Sequence, residues 1–543
     1  MPVYFYVFIA ILIATLILIW PATLLWKRFY RDDSDNPLKR IFKNSAVPLV
    51  LRLFVRGLDL IFAVILYGIL APASIGRYEL AALLVVQYLG TITEFGLGVL
   101  LTREVAHDRE AAPRLFGTSL MLRLILVLCS VPVAGLLIGS YALLEAFNLG
   151  EAITPDGQMA IWILMLTLVP AAYSSAVTAL YNANEQMEVP ALMELVTAII
   201  NMLTRIAVLM LGFGILGLSW AAVGVTSFTA LVYYFLQRRS FFTPTLRWDP
   251  AAMRALLPIA FPLMLNNLLS AVFFRFDTFL LKGLGAGDGD VLVTQYNLAY
   301  KVLSIPLILP PVITFAVFPL LARQAHGDRQ VMARAQNNTL RILLLIAFPI
   351  SMALTMLAPD LVRFFTRKEV ASYLPIAAYA LAILGWFLPL SFVNGLLQYV
   401  LIALNQQRSI TKAFIIGALF NFLCNLVLIP FFGIYAASLV TIASEVVLLA
   451  VFWPLLREAD LRPPLLQMIW RPLLASLLMG AAMYGVSFLW GGLSFTELQI
   501  NWWQLIAMVV VGVPVYVAAL WLIGGISAED RLLLGRVFKR RSA

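Results

Sequence analysis

Charged side chains are scarce in this chain. Of its 543 residues, 12% are Asp, Glu, Lys or Arg and 62% are hydrophobic, and the mean hydropathy is +0.93. A soluble globular domain does not have this composition, whereas serial apolar runs of about twenty residues are typical of membrane-spanning helices. The net charge of +10 is therefore interpreted as cytoplasmic loops in contact with anionic lipid head groups, and no binding to nucleic acid is expected.

Cysteine and histidine are also nearly absent, with two residues of each. Cys129 and Cys424 lie in separate apolar stretches and provide neither a disulfide framework nor the spacing of a metal site, so we expect no metal and no cofactor. No glycine-rich loop ending in Gly-Lys-Ser/Thr is present, which excludes direct use of ATP. The predicted outer loops, of which 144–158 is the longest, leave no room for a catalytic domain. We therefore predict that the chain is not an enzyme.

Fifteen apolar stretches predict fifteen transmembrane helices, among them 255–282, 291–321 and 372–403. Lys and Arg concentrate on alternate connections, which predicts an external N-terminus and a cytoplasmic C-terminus. We expect a multi-pass protein of the cell (inner) membrane. In one predicted outer turn, residues 283–289, every second residue is glycine and an acidic residue lies between two of them. This pattern is most simply a flexible connector.

Sequence landmarks recur about 220 residues apart. Leu-Leu-Thr-Arg ending at Arg103 and Leu-Leu-Ala-Arg ending at Arg323 are each followed, five residues later, by Asp-Arg. The repeat unit contains six predicted helices, an even number, so its two copies enter the membrane in the same direction and enclose a central cavity. The predicted order is an extra N-terminal transmembrane helix (1–30), a cytoplasmic linker (31–46), a six-helix N-lobe (47–238), an inter-lobe linker (239–254), a six-helix C-lobe (255–456), two C-terminal helices (457–525) and a basic cytoplasmic tail (526–543).

Six charged residues are predicted at membrane depth in the first two helices of the lobes: Arg52, Arg56, Asp59, Arg275, Asp277 and Lys301. Charge is costly there and normally faces a protein interior or a water-filled cavity, which indicates a carrier for a polar molecule. Arg52, Arg56 and Asp59 share one helix face because they are spaced i, i+4 and i+7. A static Arg56–Asp59 ion pair, with Arg52 at the inner interface, is the alternative.

The first helix of the C-lobe carries a second polar face. Asn266, Ser270 and Asp277 share it, since eleven residues complete about three helical turns, and we predict that they line the cavity. Arg275 and Lys301 lie in the outer half of their spans. For these two, a structural ion pair or a side chain that reaches to the interface is the alternative.

Further charged residues, among them Glu194, lie inside predicted spans. Arg123 and Arg205 are near the ends of theirs, so we expect both to extend to the lipid head groups. Glu94 and Glu445 are deep. Each either carries a proton or cation or neutralises an arginine.

Several stretches resemble polysaccharide transporters. These are residues 95–104, residues 262–277, Tyr300-Lys301 and residues 318–320. The resemblance covers about residues 44–525 and is to the Wzx-type O-unit flippases of the multidrug/oligosaccharidyl-lipid/polysaccharide (MOP) exporter superfamily. It implies an all-α polytopic membrane protein with fourteen core helices and alternating access, which moves an undecaprenyl-diphosphate-linked oligosaccharide outward. The extra N-terminal helix departs from the family pattern.

With this resemblance, the charged residues acquire predicted roles. An arginine fork suits a diphosphate, so the predicted substrate-binding residues are Arg52, Arg56, Arg275 and Lys301. The predicted coupling or charge-balancing residues are Asp59, Asp277, Glu94 and Glu445, and the cavity polar residues are Asn266 and Ser270. Coupling to a proton or sodium gradient or to the membrane potential is expected. The expected partners are a polyprenyl-diphosphate-linked glycan, membrane lipids and polysaccharide assembly proteins.

Two alternatives stay open within the same superfamily. A small-molecule (multidrug) efflux antiporter would favour acidic and aromatic groups around a cationic drug. The MurJ-type lipid II flippases also carry basic residues in the first core helix, which Arg52 and Arg56 echo, but the adjacent Arg-Asp pair associated with that group is absent here.

Overall fold

The computed structural model describes residues 37–525 except Ala286, His326 and Lys368, and among these it describes no side chain before Leu51 nor that of Arg52. The predicted N-terminal helix and basic tail lie outside the described residues. Within them the chain forms helices and no strand. The helical segments are α1 (Pro37–Ile69), α2 (Pro72–His107), α3 (Ala112–Ala146), α4 (Pro155–Ala183), α5 (Glu188–Met210), α6 (Gly214–Ser240), α7 (Pro250–Arg275 and Asp277–Leu284), α8 (Gly289–Leu303 and Leu309–Gln324), α9 (Arg329–Thr366), α10 (Ile376–Ala403), α11 (407–432), α12 (434–458), α13 (Leu465–Phe488) and α14 (Trp502–Leu522).

These helices agree with the predicted core of two six-helix lobes followed by two further helices. Twelve helices in the described part are long and apolar enough to cross a membrane. One of them, Gln407–Glu458, is two helices joined at Gly433, whose φ of 53° and ψ of −129° are not helical. Glycine tolerates this conformation because it has no Cβ. The all-α, polytopic fold class is confirmed.

Several spans that were predicted as single helices are interrupted, three of them in the C-lobe. α7 breaks at Phe276, α8 breaks around residues 304–308, and α10 is irregular at residues 385–386. In α8 the physical reason is Pro306, which lacks a backbone N–H and sterically excludes the carbonyl one turn earlier. Its residues Pro306–Ile308 form a 3₁₀ turn instead.

Backbone irregularities recur at the same spacing as the sequence landmarks. α2 contains a π-helical stretch, Leu83–Leu89, about 220 residues before the break in α8. The positive φ angles also occur in pairs at nearly this offset: Glu185 (59°) with Asn405 (60°), and Gly214 (59°) with Gly433 (53°). The two lobes therefore share their helix breaks as well as their helices.

The lobes touch at two ends of the bundle. We call the end that carries residues 147–154 and 285–288 the Asp290 end, and the end that carries residues 241–249 the Asp249 end. At the Asp249 end, α2 packs closely on α7: a Cβ on Gly96 would lie 2.6 Å from the Leu263 Cβ. Leu97, Leu100, Leu122, Met253 and Ala260 form a small apolar cluster around this contact.

Asp249 caps the first helix of the C-lobe. Its Oδ1 accepts a hydrogen bond of 3.0 Å from the Ala252 N–H, and its Oδ2 lies 3.3 Å from Arg114 Nη2 of the N-lobe. The backbone hydrogen bond, together with the nearby arginine, holds the pKa of the Asp249 carboxyl below its ordinary value. This end is thus closed by apolar packing and one exposed ion pair.

The last two helices attach to the C-lobe. α13 and α14 pack on each other and on α9, around Met479, Met483 and Met508. Arg363 of α9 donates to Asp360 Oδ1 at 2.6 Å, to the Glu497 carbonyl at 2.8 Å and to the Ser494 carbonyl. These bonds fix residues 489–501, which form a longer connection than the one between α3 and α4.

Candidate functional site

A basic and aromatic cluster lies where α8 of the C-lobe meets α2 of the N-lobe. Arg275 Nη2 donates to Asn297 Oδ1 at 2.7 Å, and its guanidinium carbon lies 4.7 Å from the centre of the Tyr300 ring. Lys301 Nζ lies 3.9 Å from Glu79 Oε1 of the N-lobe. The structure thus brings the two predicted C-lobe cations to the contact between the lobes. We call Arg275, Asn297, Tyr300, Lys301 and Glu79 the inter-lobe cluster.

Glu79 was missed by sequence reasoning. Its side chain is 12% exposed, and both carboxylate oxygens accept hydrogen bonds from the Tyr67 hydroxyl of α1, at 3.0 and 3.2 Å. The sequence does contain a signal for it, because Glu79 is an acidic residue within an apolar stretch, as Glu94 is. The Glu79 carboxylate therefore connects α1, α2 and α8 at one point.

Arg56 and Asp59 lie on α1 and are both exposed. Within the described side chains, neither makes an ion pair, so the alternative of a static Arg56–Asp59 pair is not formed. No hydrogen bond links them to Arg275 or Lys301. The side chain of Arg52 lies outside the described residues, and its role stays a prediction.

Asp277 begins the second part of α7 and is buried, with 1% of its surface exposed. Its Oδ2 accepts hydrogen bonds from the Tyr296 hydroxyl and, at 3.3 Å, from Thr441 Oγ1. Its Oδ1 accepts one of 2.8 Å from the Thr278 N–H. Among the described residues it makes no salt bridge, although Arg275 is near enough to interact with it electrostatically. Its hydrogen bonds to side chains all come from neutral groups of α8 and α12.

The predicted shared face of α7 is interrupted. Asn266 and Ser270 precede the break at Phe276, whereas Asp277 follows it. Phe276 keeps helical angles (φ −70°, ψ −26°), and Asp277 contacts Tyr296 and Thr441 rather than the surface that Asn266 and Ser270 line.

Arg123 and Glu94 form a buried pair in the N-lobe. Arg123 is fully buried, its Nη2 lies 3.5 Å from Glu94 Oε1, and its Nη1 donates to the Ala172 carbonyl at 3.4 Å. The expectation that Arg123 extends to the lipid head groups is wrong, because Glu94 supplies a counter-charge inside the lobe. Glu94 thus neutralises an arginine.

Glu94 also caps a break in α2. Phe95 and Gly96 adopt positive φ angles of 52° and 71°, which frees backbone N–H groups from the helix. The Glu94 carboxylate accepts hydrogen bonds from the N–H groups of Gly96 at 2.7 Å and Gly98 at 2.6 Å. Glu94 therefore both pairs with Arg123 and caps the helix that begins at Leu97.

Arg205 of α5 packs between helices as well. It is half-buried, and its guanidinium carbon lies 5.4 Å from the centre of the Phe62 ring of α1. This stacking differs from the predicted extension to the interface.

A cavity of about 350 Å³ lies inside the C-lobe, bounded by α7, α10, α11 and α12. Two of the predicted cavity residues, Asn266 and Ser270, line it. Glu445 forms part of its wall but is only 1% exposed, and its Oε2 accepts a 2.5 Å hydrogen bond from Asn394 Nδ2. No Lys or Arg occurs among the described residues that line this cavity. We call it the C-lobe cavity.

An ion network joins the lobes at the Asp290 end. Asp290 lies 2.9 Å from Arg77 Nε of the N-lobe and 3.0 Å from Lys282 Nζ. Lys282 also lies 3.3 Å from Glu151 of the N-lobe, whose Oε2 accepts a 3.0 Å hydrogen bond from the Gly289 N–H. The expectation of a flexible connector therefore does not hold at Gly283 and Gly289. A Cβ on Gly150 would lie 1.8 Å from the Gly283 carbonyl oxygen, so the backbones of the two lobes approach closely there.

Comparison with known proteins identifies the family. The family described as "Polysaccharide biosynthesis protein" matches residues 41–325, more than half of the chain. This chain belongs to the polysaccharide biosynthesis protein family. The MatE family matches residues 262–427, and both families belong to the MOP exporter superfamily that the sequence resembles.

One curated relative is similar over part of the chain. The "Probable low-salt glycan biosynthesis flippase Agl15" of Haloferax volcanii is 24% identical over 153 residues, which are 28% of this chain and 32% of that protein. The chain thus matches about a third of the length of this relative.

Solved structures share the fold of this family member. Lipid II flippase MurJ in an inward closed conformation has a TM-score of 0.68 at 15% identity, covering 88% of this chain and 99% of that one. An inward-facing multidrug resistance MATE family transporter has a TM-score of 0.57 at 18% identity, with 75% and 95% covered. A MOP superfamily transporter from Pyrococcus furiosus has a TM-score of 0.56 at 15% identity, with 78% and 97% covered. These likenesses show that the chain has the fold of MOP superfamily transporters, and its long apolar helices make it a multi-pass membrane protein.

Proposed function

We propose that this protein is a flippase that moves a polyprenyl-diphosphate-linked oligosaccharide from the cytoplasmic to the outer leaflet by alternating access, for cell-surface polysaccharide synthesis. The observation that carries the proposal is the inter-lobe cluster, in which two cations of one lobe meet a single carboxylate of the other. The description of the family and the printed name of the Haloferax relative support a glycan substrate.

In this proposal, Arg275 binds the diphosphate. Asn297 and the Tyr300 ring hold the guanidinium plane, so a fork of donors is oriented before the substrate arrives, which suits paired phosphate oxygens. Arg52 and Arg56 of α1 supply further positive charge from the N-lobe. The polyprenyl tail stays in the lipid while the sugar-diphosphate head crosses between the lobes.

Lys301 connects binding to movement. Its contact with Glu79, at 3.9 Å, is long for a charge-assisted hydrogen bond, so a phosphate group competes well for it. Release of Lys301 from Glu79 removes one contact between the lobes. Substrate binding then lowers the free-energy cost of parting the lobes at the Asp290 end, which the predicted topology places outside.

Asp277 is the proposed coupling residue. Asp277 is buried and makes no salt bridge among the described residues, and a buried carboxylate is costly unless a proton or cation compensates its charge. Uptake of a proton or a sodium ion there would connect transport to an ion gradient, and the membrane potential acts on the same charge. Asp59, which is exposed and unpaired among the described side chains, is the second candidate. Glu94 is less suited because Arg123 already balances it.

We place the protein in the cell (inner) membrane with its N-terminus outside and its C-terminus in the cytoplasm, as the basic connections predict. It acts as a transporter without an enzymatic step of its own. Polysaccharide assembly proteins are proposed partners, since they would consume the translocated glycan.

A small-molecule efflux antiporter is the second candidate. One observation favours it: the C-lobe cavity combines Glu445, the rings of Phe274 and Phe414 and no basic residue among its described lining, an environment that also suits a cation. A MurJ-type lipid II flippase differs from the leading proposal in its glycan rather than in its mechanism.

A deletion strain tests the proposed function. We expect lipid-linked saccharide to accumulate in the cytoplasmic leaflet and surface polysaccharide to be lost, with both restored by the intact protein but not by Arg275→Ala. A leaflet-specific glycosidase applied to sealed vesicles measures the distribution. Normal surface polysaccharide together with increased sensitivity to cationic dyes would replace the flippase proposal with the antiporter.

A further inference from the structure

The C-lobe cavity presents amides and hydroxyls rather than charge. Its polar lining is Asn266, Asn267, Ser270, Ser391, Asn394 and Gln398. The carboxylate of Glu445 stands behind this surface, because it is 1% exposed and Asn394 Nδ2 covers one of its oxygens. A ligand in the cavity therefore meets neutral polar groups first.

The amide of Asn394 is fixed in one orientation. Its Nδ2 donates both to Glu445 Oε2 at 2.5 Å and to the Glu445 carbonyl at 2.8 Å. Its Oδ1 is consequently left without a partner, although the residue is 4% exposed. A buried acceptor without a donor is costly. Less than 1 Å² of this oxygen is accessible, so a ligand in the cavity contacts the other polar side chains of the lining first.

Other residues of the lining offer free donors and acceptors. Asn266 Oδ1 accepts a 2.8 Å hydrogen bond from Thr411 Oγ1, which leaves the two N–H groups of its Nδ2 available. Ser270, Ser391 and Gln398 make no side-chain hydrogen bond within the described part of the chain. Amides and hydroxyls both donate and accept, which matches the vicinal hydroxyls of a sugar better than it matches a cation or an anion.

Size and position agree with this chemistry. A volume of about 350 Å³ is at the lower end of the range for small-molecule sites and suits one sugar unit rather than a whole oligosaccharide. Phe274 and Phe414 add apolar ring surface for the C–H face of such a unit. Gln407 and Ile402, which also line the cavity, adjoin the connection at 404–406, predicted to face the cytoplasm.

We propose that the C-lobe cavity is a binding site for one neutral sugar unit, entered from the cytoplasmic side and separate from the inter-lobe cluster. The proposal rests on the proposed glycan substrate and deepens it. The sugar would be held by the cavity of one lobe while the diphosphate is held between the lobes. Recognition of the glycan and recognition of the diphosphate would then reside in different residues.

Protection of a cysteine placed in the cavity tests this site. The full chain, with Cys129 and Cys424 replaced by serine, receives Ser270→Cys on α7 or, in a second protein, Ser391→Cys on α10. The purified protein is labelled with N-ethylmaleimide in the presence of about 10 mM glucose, galactose or N-acetylglucosamine. A dissociation constant on the order of 1 mM, reasonable for a monosaccharide, slows labelling about tenfold. Sorbitol at the same concentration is the control for osmolyte effects.

Matched variants identify the residues involved. Gln398→Leu, which breaks no hydrogen bond of the described fold, is expected to reduce the protection at least fivefold. Gln87→Leu makes the same change on the exposed side of α2 in the N-lobe. We expect it to leave the protection by sugars unchanged. Size-exclusion profiles identical to the parent show that each protein is folded.

The possible outcomes separate the sugar site from the proposed function. Absence of protection by all three sugars at both reporter positions overturns the site, and the leaflet assay then decides independently whether the protein is a flippase. Protection by tetraphenylphosphonium but not by sugars overturns the sugar site and favours the antiporter. Protection that persists in Gln398→Leu and equally in Gln87→Leu also contradicts the assigned site.

Discussion

Asp290→Asn is expected to release the lobes at the Asp290 end. Asp290 is 3% exposed and pairs with Arg77 at 2.9 Å and Lys282 at 3.0 Å. The substitution keeps the shape of the side chain but leaves the buried Lys282 with only Glu151, which is 46% exposed. Removal of one partner from a buried pair costs about 3–5 kcal/mol. We expect the lower value, since Arg77 retains contact with water.

A cost of about 3 kcal/mol shifts the equilibrium between closed and parted lobes roughly a hundredfold. Spin labels at Glu145→Cys and Ala371→Cys, two exposed positions on opposite lobes, report the distance across this end by pulsed electron resonance in a background without Cys129 and Cys424. We expect a longer distance population to become dominant.

Asp156→Asn is the matched control. Asp156 belongs to the same end, is 65% exposed and lies 3.9 Å from Arg77. Because most exposed ion pairs contribute little stability, Asp156→Asn should leave the distance distribution unchanged. An unchanged distance distribution in Asp290→Asn, or an equal change in Asp156→Asn, would refute the reasoning that the buried network holds the lobes together.

Three further predictions concern substrate binding, stability and topology. Arg275→Ala should weaken substrate binding roughly ten- to a hundredfold, as the loss of charge-assisted contacts worth ~1.5–3 kcal/mol implies, and Arg275→Lys should recover only part; transport by equal amounts of protein in vesicles measures this. Arg123→Leu should reduce the free energy of unfolding in detergent by about 3 kcal/mol because it leaves Glu94 without its counter-charge, and Glu94→Gln added to it should restore most of the loss. In intact cells, a single cysteine at Gly287 should react with an impermeant reagent and one at Arg536 should not, and the reverse pattern would contradict the predicted topology.

The lobes and their helices could be predicted because apolar run length and the repeat are properties of the sequence. The interruptions within the helices were harder to predict from the sequence. Pro306 is a visible signal for the interruption in α8, because proline inside a helix breaks or kinks it. The apolar pattern nevertheless runs through the whole span and resembles that of one helix. The turn at Phe276 has no such signal, and the partners of Asp277, Tyr296 and Thr441, could not be read from helical spacing.

The charged residues show where sequence reasoning ends. Their presence at membrane depth is readable, but the choice between a cavity and an ion pair depends on which helices touch. Glu94 and Arg123 come from neighbouring helices and still could not be paired by spacing alone. Asp290 and Arg77 are more than two hundred residues apart, and only the contact between lobes makes them partners.

The buried pair in the N-lobe has a consequence for how the chain enters the membrane. An arginine costs up to about 2.5–3.5 kcal/mol during insertion when it lies at the centre of a span, and Arg123 lies within α3, whose most apolar 18-residue stretch has a mean hydropathy of 2.4. Because residues 108–111 alone separate α2 from α3, both helices can leave the translocon as one hairpin with the charges already joined. Loss of either charge would then reduce the amount of protein that is made before it affects any transport step.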